Sequence, residues 1–109
     1  MRILSFLVSG TTIKQDPECD FSGLFPGKND DVQAKFTFSN EWKSRPKVIA
    51  FWSMLNQEYP PCVLNADNTC KIPKEALARP AFKIQVIGSD RGRRCETGTV
   101  TVYQKGGKS

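Results

Sequence analysis

Cys19, Cys62, Cys70 and Cys95 are the most reactive side chains in this 109-residue sequence. None belongs to a Cys-x-x-Cys pair, and histidine is absent. A zinc site would need all four thiolates at spacings that do not suit a zinc module. Without histidine there is no Ser-His-Asp or Cys-His arrangement for nucleophilic catalysis. The cysteines are expected as free thiols, buried or half-buried. Disulfides belong to exported proteins, and nothing else here points to export. Asp16-x-Glu18-x-Asp20 alternates as a calcium loop does, but the glycine and distal glutamate of such a loop are missing. Gly23-Leu24-Phe25-Pro26-Gly27-Lys28 is too short for a P-loop and lacks the hydroxyl residue after its lysine. These absences predict a protein that is not an enzyme and holds no cofactor and no metal.

What remains is contact chemistry. The net charge is +5, and two segments supply much of it: Arg91-Gly92-Arg93-Arg94 and Lys105-Gly106-Gly107-Lys108. A basic balance permits an anionic partner, but a solvated excess explains it as well. Arg91, Arg93 and Arg94 are candidate contact residues on a turn. Nucleic acid is a weak expectation, because Phe36, Phe38, Phe51 and Phe82 sit on faces assigned to the core rather than to stacking. Phe21, Leu24 and Phe25 interrupt an otherwise polar loop. They either plug the end of a sheet or form a partner-binding patch. An aromatic platform for a glycan would need Trp42 or Trp52 exposed beside Tyr59.

The elements that must position these residues are short strands. Val32-Gln33-Ala34-Lys35-Phe36-Thr37-Phe38 alternates apolar and polar, the period of a strand with one dry face. Trp42 follows and is expected to cap the core. Residues 2 to 9 read as a first strand. Their apolar run is too short for a signal peptide, and no stretch is long enough for a membrane helix. Residues 16 to 31 read as a long loop rich in turn chemistry. Lys47 to Ser53 is apolar on both faces, as suits a strand covered on each side or one whose second face meets a neighbour. A short strand over 57–59 ends at Pro60-Pro61. Cys62-Val63-Leu64 and Cys70-Lys71-Ile72 suggest a hairpin turning at Asp67-Asn68, with 65 opposite 70. Such a turn keeps Cys62 and Cys70 out of register. Pro73 to Leu77 is the one helical candidate. Phe82 to Ile87, Arg94 to Thr97 and Thr99 to Tyr103 complete the strands, and 104–109 reads as a flexible tail. The sum is a single domain over 1–109: an all-β, Ig-like antiparallel sandwich of about seven or eight strands with one short helical turn.

Several segments in order carry a resemblance. They are Phe36-x-Phe38-Ser39-x-Glu41-Trp42-Lys43, Lys47-Val48-x-x-Phe51 and Cys70-Lys71-Ile72-Pro73-x-Glu75-Ala76-Leu77, followed by Phe82-x-Ile84-x-Val86-x-Gly88 and Thr97-x-Thr99-Val100-x-Val102. Over about residues 20 to 104 the sequence resembles small β-sandwich proteins of phages and prophages of low-GC Gram-positive and related gut bacteria. Pro60-Pro61 and the extended N-terminal strand depart from that pattern. The resemblance supplies no catalytic residue. It implies a virion structural protein attached to tail, baseplate or capsid and made in the host bacterial cytoplasm. Its implied partners are other virion proteins, in a homo-oligomer or symmetric assembly, with no membrane. The contact elements would be the 16–31 loop, the Arg91–Arg94 hairpin and the N-terminal strand. A carbohydrate- or host-receptor-binding module is the alternative expectation, and a nucleic-acid-binding accessory protein the third.

Overall fold

A computed structural model describes residues 2–27 and 31–104. The strands are β1 (Arg2–Ser9), β2 (Thr12–Gln15), β3 (Val32–Phe38), β4 (Lys47–Ser53), β5 (Cys62–Val63), β6 (Thr69–Lys71), β7 (Ala81–Asp90), β8 (Arg93–Glu96) and β9 (Val100–Tyr103). Two helical turns interrupt them, α1 (Asn40–Lys43) and α2 (Lys74–Leu77). A four-stranded sheet in the order β2-β1-β3-β6 packs on a five-stranded sheet in the order β5-β4-β7-β8, with β9 also on β7. The architecture is an all-β sandwich.

Alternation builds the core. In β3 the even positions Val32, Ala34, Phe36 and Phe38 are buried, and in β1 Leu4, Phe6 and Val8 are. β1 and β3 lie in register with Phe6 beside Phe36, and their rings stack with centroids 5.5 Å apart. From the facing sheet come Ile49, Phe51, Phe82, Ile84 and Val86, all buried.

Four expectations are corrected. β1 and β3 run parallel, so the sandwich is not wholly antiparallel. A parallel pair needs a long crossover, and the chain between β2 and β3 supplies it. The loop's role is therefore topological. Second, 62–64 and 70–72 form no hairpin ladder: β5 pairs with β4, and β6 pairs with β3 in the other sheet. The turn spans Asn65 to Asn68, where Asn65 N–H donates to Thr69 C=O and Asn68 N–H to Asn65 C=O. Asn68 takes the left-handed φ of 63° that asparagine tolerates. Asp67 accepts from the Thr69 hydroxyl at 2.6 Å. Third, α1 is a second helical turn, where a plain connection was expected. It swings Trp42 inward. Fourth, Gln104 belongs to no tail. It is buried, and its amide donates to the Leu77 and Arg79 carbonyls at 2.8 and 2.7 Å. These carbonyls terminate α2, where the helix cannot satisfy them itself. The remainder of the expected tail, 105–109, lies outside the described residues, as does part of the 16–31 loop. The short strand at 57–59 reduces to a single bridge between Trp52 and Glu58.

Trp42 closes one end of the sandwich. It is 1% exposed, and its indole N–H donates to the Gly10 carbonyl in the β1–β2 turn at 2.8 Å. Its ring lies over Gly88 in β7, where an added Cβ would sit 2.8 Å from Trp42 Cζ3 and 3.0 Å from the Pro46 carbonyl. The Lys47 ammonium donates to the carbonyls of Trp42 (2.7 Å), Arg45 (3.1 Å) and Lys43 (3.4 Å), so it caps α1. Gly88→Ala is expected to cost about 1–3 kcal/mol in urea unfolding, because neither neighbour is free to yield. Gly98→Ala serves as the control, since its nearest atom is 3.9 Å away; it is expected to be near neutral.

Candidate functional site

The expected contact residues divide between the two ends of the sandwich. Gly27 N–H bonds the Leu77 carbonyl, which sets the Phe21–Gly27 segment beside α2 and the start of β7. The Arg91–Arg94 hairpin caps the far end of the same strand. β7 has ten residues, so the two candidates stand roughly 30 Å apart. They form no single site.

Leu24 takes the plug role and not the contact role, because it is 1% exposed and part of the core. Phe21 is half-buried, its ring edge-on to Phe6 at 5.5 Å. Phe25 alone of the three is open, at 45%. The segment is therefore chiefly a plug. Arg2 holds it by donating to the Asp20 and Ser22 carbonyls at 2.8 and 2.7 Å. The Asp20 carboxylate accepts from the Ser22 hydroxyl (2.6 Å) and backbone N–H (2.8 Å). These bonds hold the Asp20 carboxyl below its ordinary pKa, Ser22 being the main cause.

The arginine hairpin is exposed but not purely cationic. Arg94 pairs with Glu96 at 3.2 Å, and Asp90 with Arg45 at 3.4 Å. Arg91 and Gly92 form a two-residue turn with φ of 53° and 80°. Both values are positive, as a type I′ hairpin turn requires, and arginine is a poor residue for the first of them.

The two outer sheet faces differ in how their apolar residues are grouped. On the four-stranded sheet, Lys14, Lys35 and Lys71 point outward, and its four strands contain no carboxylate. The excess charge thus has a third, unanticipated location. On the five-stranded sheet, register sets Val48 beside both Val63 and Ile87. Trp52 lies on the same face and donates to Gln85 Oε1 at 3.2 Å, across Ala50. Val63 is 77% exposed, and Tyr103 52%. Beyond the end of β4, Leu55 is 84% exposed and Met54 47%. Met54 and Leu55 line a cleft of about 340 Å³ with Tyr59, Arg79 and Pro80. The described residues place no further layer over this face.

The pattern of β4 signals a second apolar face with Trp52 on it, whereas Val63, Met54, Leu55 and Tyr103 carry no such signal in their own segments. The β4 run of Val48, Ile49, Ala50, Phe51 and Trp52 has too many apolar residues for one face. The inward pair, Ile49 and Phe51, fills the core, and Val48 and Trp52 are left half-buried outside. The glycan platform is not assembled. Trp42 is buried, and Tyr59 packs against the core while Trp52 points outward.

No family model matches the chain, and no curated protein does. Among solved structures it is similar to the N-terminal domain of phage TP901-1 ORF48, with a TM-score of 0.52 at 12% identity. The match covers 93% of this chain and 96% of that one. The likeness is one of fold. The chain spans nearly the whole of that domain, so the sandwich described here has a known counterpart.

Two outcomes follow from the local geometry. Arg91→Asn is expected to stabilise the protein by about 1 kcal/mol in urea unfolding, because asparagine accepts the left-handed conformation more readily. Arg91→Ala should give no such gain. The Asp20 carboxyl should titrate below 3.8 in carbon-detected NMR and move back toward it in Ser22→Ala. Its folded pKa is depressed. The contact's stabilisation is therefore complete above the unfolded value and is lost as pH falls through the folded one.

Proposed function

We propose that this protein is a non-enzymatic structural module of a bacteriophage virion, an Ig-like sandwich that works by docking on other proteins of the particle. One observation carries the reading. The outer face of the five-stranded sheet carries an apolar patch of Val63, Val48 and Ile87, with Trp52 further along β4 beyond Ala50 and Gln85 and beside Lys83, and with Tyr103, Leu55 and Met54 at its margin. On the other sheet the outward apolar residues Ile3 and Leu7 are interspersed with Lys14, Gln33, Lys35 and Thr37, whereas here Val48, Val63 and Ile87 stand side by side. Burial of such a face against a partner returns roughly 25 cal/mol per Å² of apolar area removed from water. That makes it a natural assembly contact.

Two further points support the reading. A domain of a phage protein shares the fold over nearly its full length. The strand–Trp–strand–connector–hairpin order resembles small phage and prophage sandwiches. The partners in this reading are other virion proteins, and the location is the assembled particle after synthesis in the host cytoplasm.

Mass spectrometry of purified particles should find the chain at a fixed stoichiometry, and its absence would end the proposal. Val63→Glu and Leu55→Asp alter exposed positions, so both variants should keep the wild-type Tm. Each should be depleted from particles on the order of tenfold, the effect expected when an interface loses an apolar contact. Full incorporation of both would move the contact away from this face.

A further inference from the structure

Cys62 and Cys70 come from different sheets and face each other. Cys62 lies opposite Ile49 in the β4–β5 pair, and Cys70 opposite Ala34 in the β3–β6 pair. Ile49 and Ala34 both point into the core. Residues directly opposite in a ladder share a face, so both cysteines point inward. β5 and β6 are the edge strands of their sheets and approach one another along the same side of the sandwich. There Cys62 Sγ–H donates to the carbonyl of Lys71, the residue next to Cys70, at 3.0 Å, and the two thiols lie near enough for Cys62 to disfavour ionisation of Cys70. The turn over Asn65–Asn68 makes this meeting possible, because it carries the chain from one sheet to the other instead of pairing the two segments.

We propose that Cys62 and Cys70 are an oxidisable pair, converted by a low-molecular-weight disulfide into an intramolecular disulfide that ties one sheet to the other. Cys62 is half-exposed and Cys70 is 2% exposed, so Cys62 is the point of entry. The Cys62 thiol gives up its proton, and the thiolate attacks one sulfur of the reagent. The reagent's S–S bond breaks, and one thiol leaves with a proton. Cys70 then loses its proton and attacks the Cys62 sulfur, which forms the Cys62–Cys70 bond and expels the second thiol. Two protein thiols are oxidised by two electrons, and one disulfide is reduced to two thiols. Burial pushes Cys70 up to about 12, so the second step depends on the thiols being held together rather than on thiolate abundance.

The test is incubation of the reduced, full-length protein with oxidised glutathione at mildly alkaline pH. Intact mass should fall by two hydrogens, and peptide mapping should link Cys62 to Cys70 and leave Cys19 and Cys95 alkylatable. The Tm should rise by roughly 5–15 °C, as closure of a short loop predicts, and dithiothreitol should reverse the rise. Cys62→Ser, at a half-exposed position, should keep the reduced protein's fold and lose no hydrogens. A link to Cys19 or Cys95, failure to form any link, or an unchanged or lowered Tm would each overturn the proposal.

Discussion

The contact of Trp42 with Gly88 holds the two sheets in their relation at one end of the sandwich. An indole can approach β7 this closely only where no Cβ intervenes, and Gly88 provides that gap. From this seat the ring reaches back to the Gly10 carbonyl between β1 and β2. One side chain thereby touches the β1–β2 turn, the β3–β4 connection that carries it, and the middle of the facing sheet. Arg45 lies over the ring at 4.9 Å and pairs with Asp90, which brings the end of β7 into the same assembly. Lys47 fixes the backbone of α1 from below, at the expense of a partly desolvated ammonium whose pKa is lowered by burial. The remaining elements are arranged around a distance that this stack defines.

At the opposite end the closure is polar rather than aromatic. Gln104 stitches the end of β9 to the carbonyls that close α2, and Leu77 and Leu24 fill the space beneath. The two long sides differ as well. On one, Gln15 in β2 donates to the Thr101 carbonyl at 3.2 Å, and Gly98 N–H to Thr11. On the other, the sheets are joined by the chain through Asn65–Asn68 and by the Cys62 thiol, which donates to the Lys71 carbonyl across the edge. The sandwich is therefore closed by four different chemistries, one per side.

Alternation was legible wherever a strand had one wet face. β1, β3 and the first half of β7 follow directly from their residues, and so does the core role of Trp42. Pairing was not legible, because period-two patterns fix which face is buried but not which neighbour is bonded. The parallel β1–β3 pair and the sheet change between β5 and β6 depend on the paths of connections, which side-chain type does not encode. α1 was missed because four residues with one buried side chain leave no helical period to read. Of the candidate contacts, the arginines were found exposed because a charged turn has nowhere else to go. Leu24 could not be assigned between plug and contact patch, because an apolar residue in a loop looks the same whether it plugs or protrudes. The apolar outer face was announced by β4 alone; Val63, Leu55 and Tyr103 lie in segments too short or too polar to signal it.

The parallel pairing of β1 with β3 has a consequence for how the chain comes into being. Leu4, Phe6 and Val8 leave the ribosome before the strand that covers their flank, Val32 to Phe38, is synthesised, and the facing layer comes later still. During that interval β1 has only the short β2 beside it, and a lone two-stranded hairpin is marginal in water. The crossover that follows costs little extra entropy for its length, since loop closure grows only with the logarithm of residue number. The burden is one of time. The apolar ribbon of β1 waits, with the Phe21–Phe25 plug on its tether, until Trp42 and then Gly88 arrive to close that end of the sandwich.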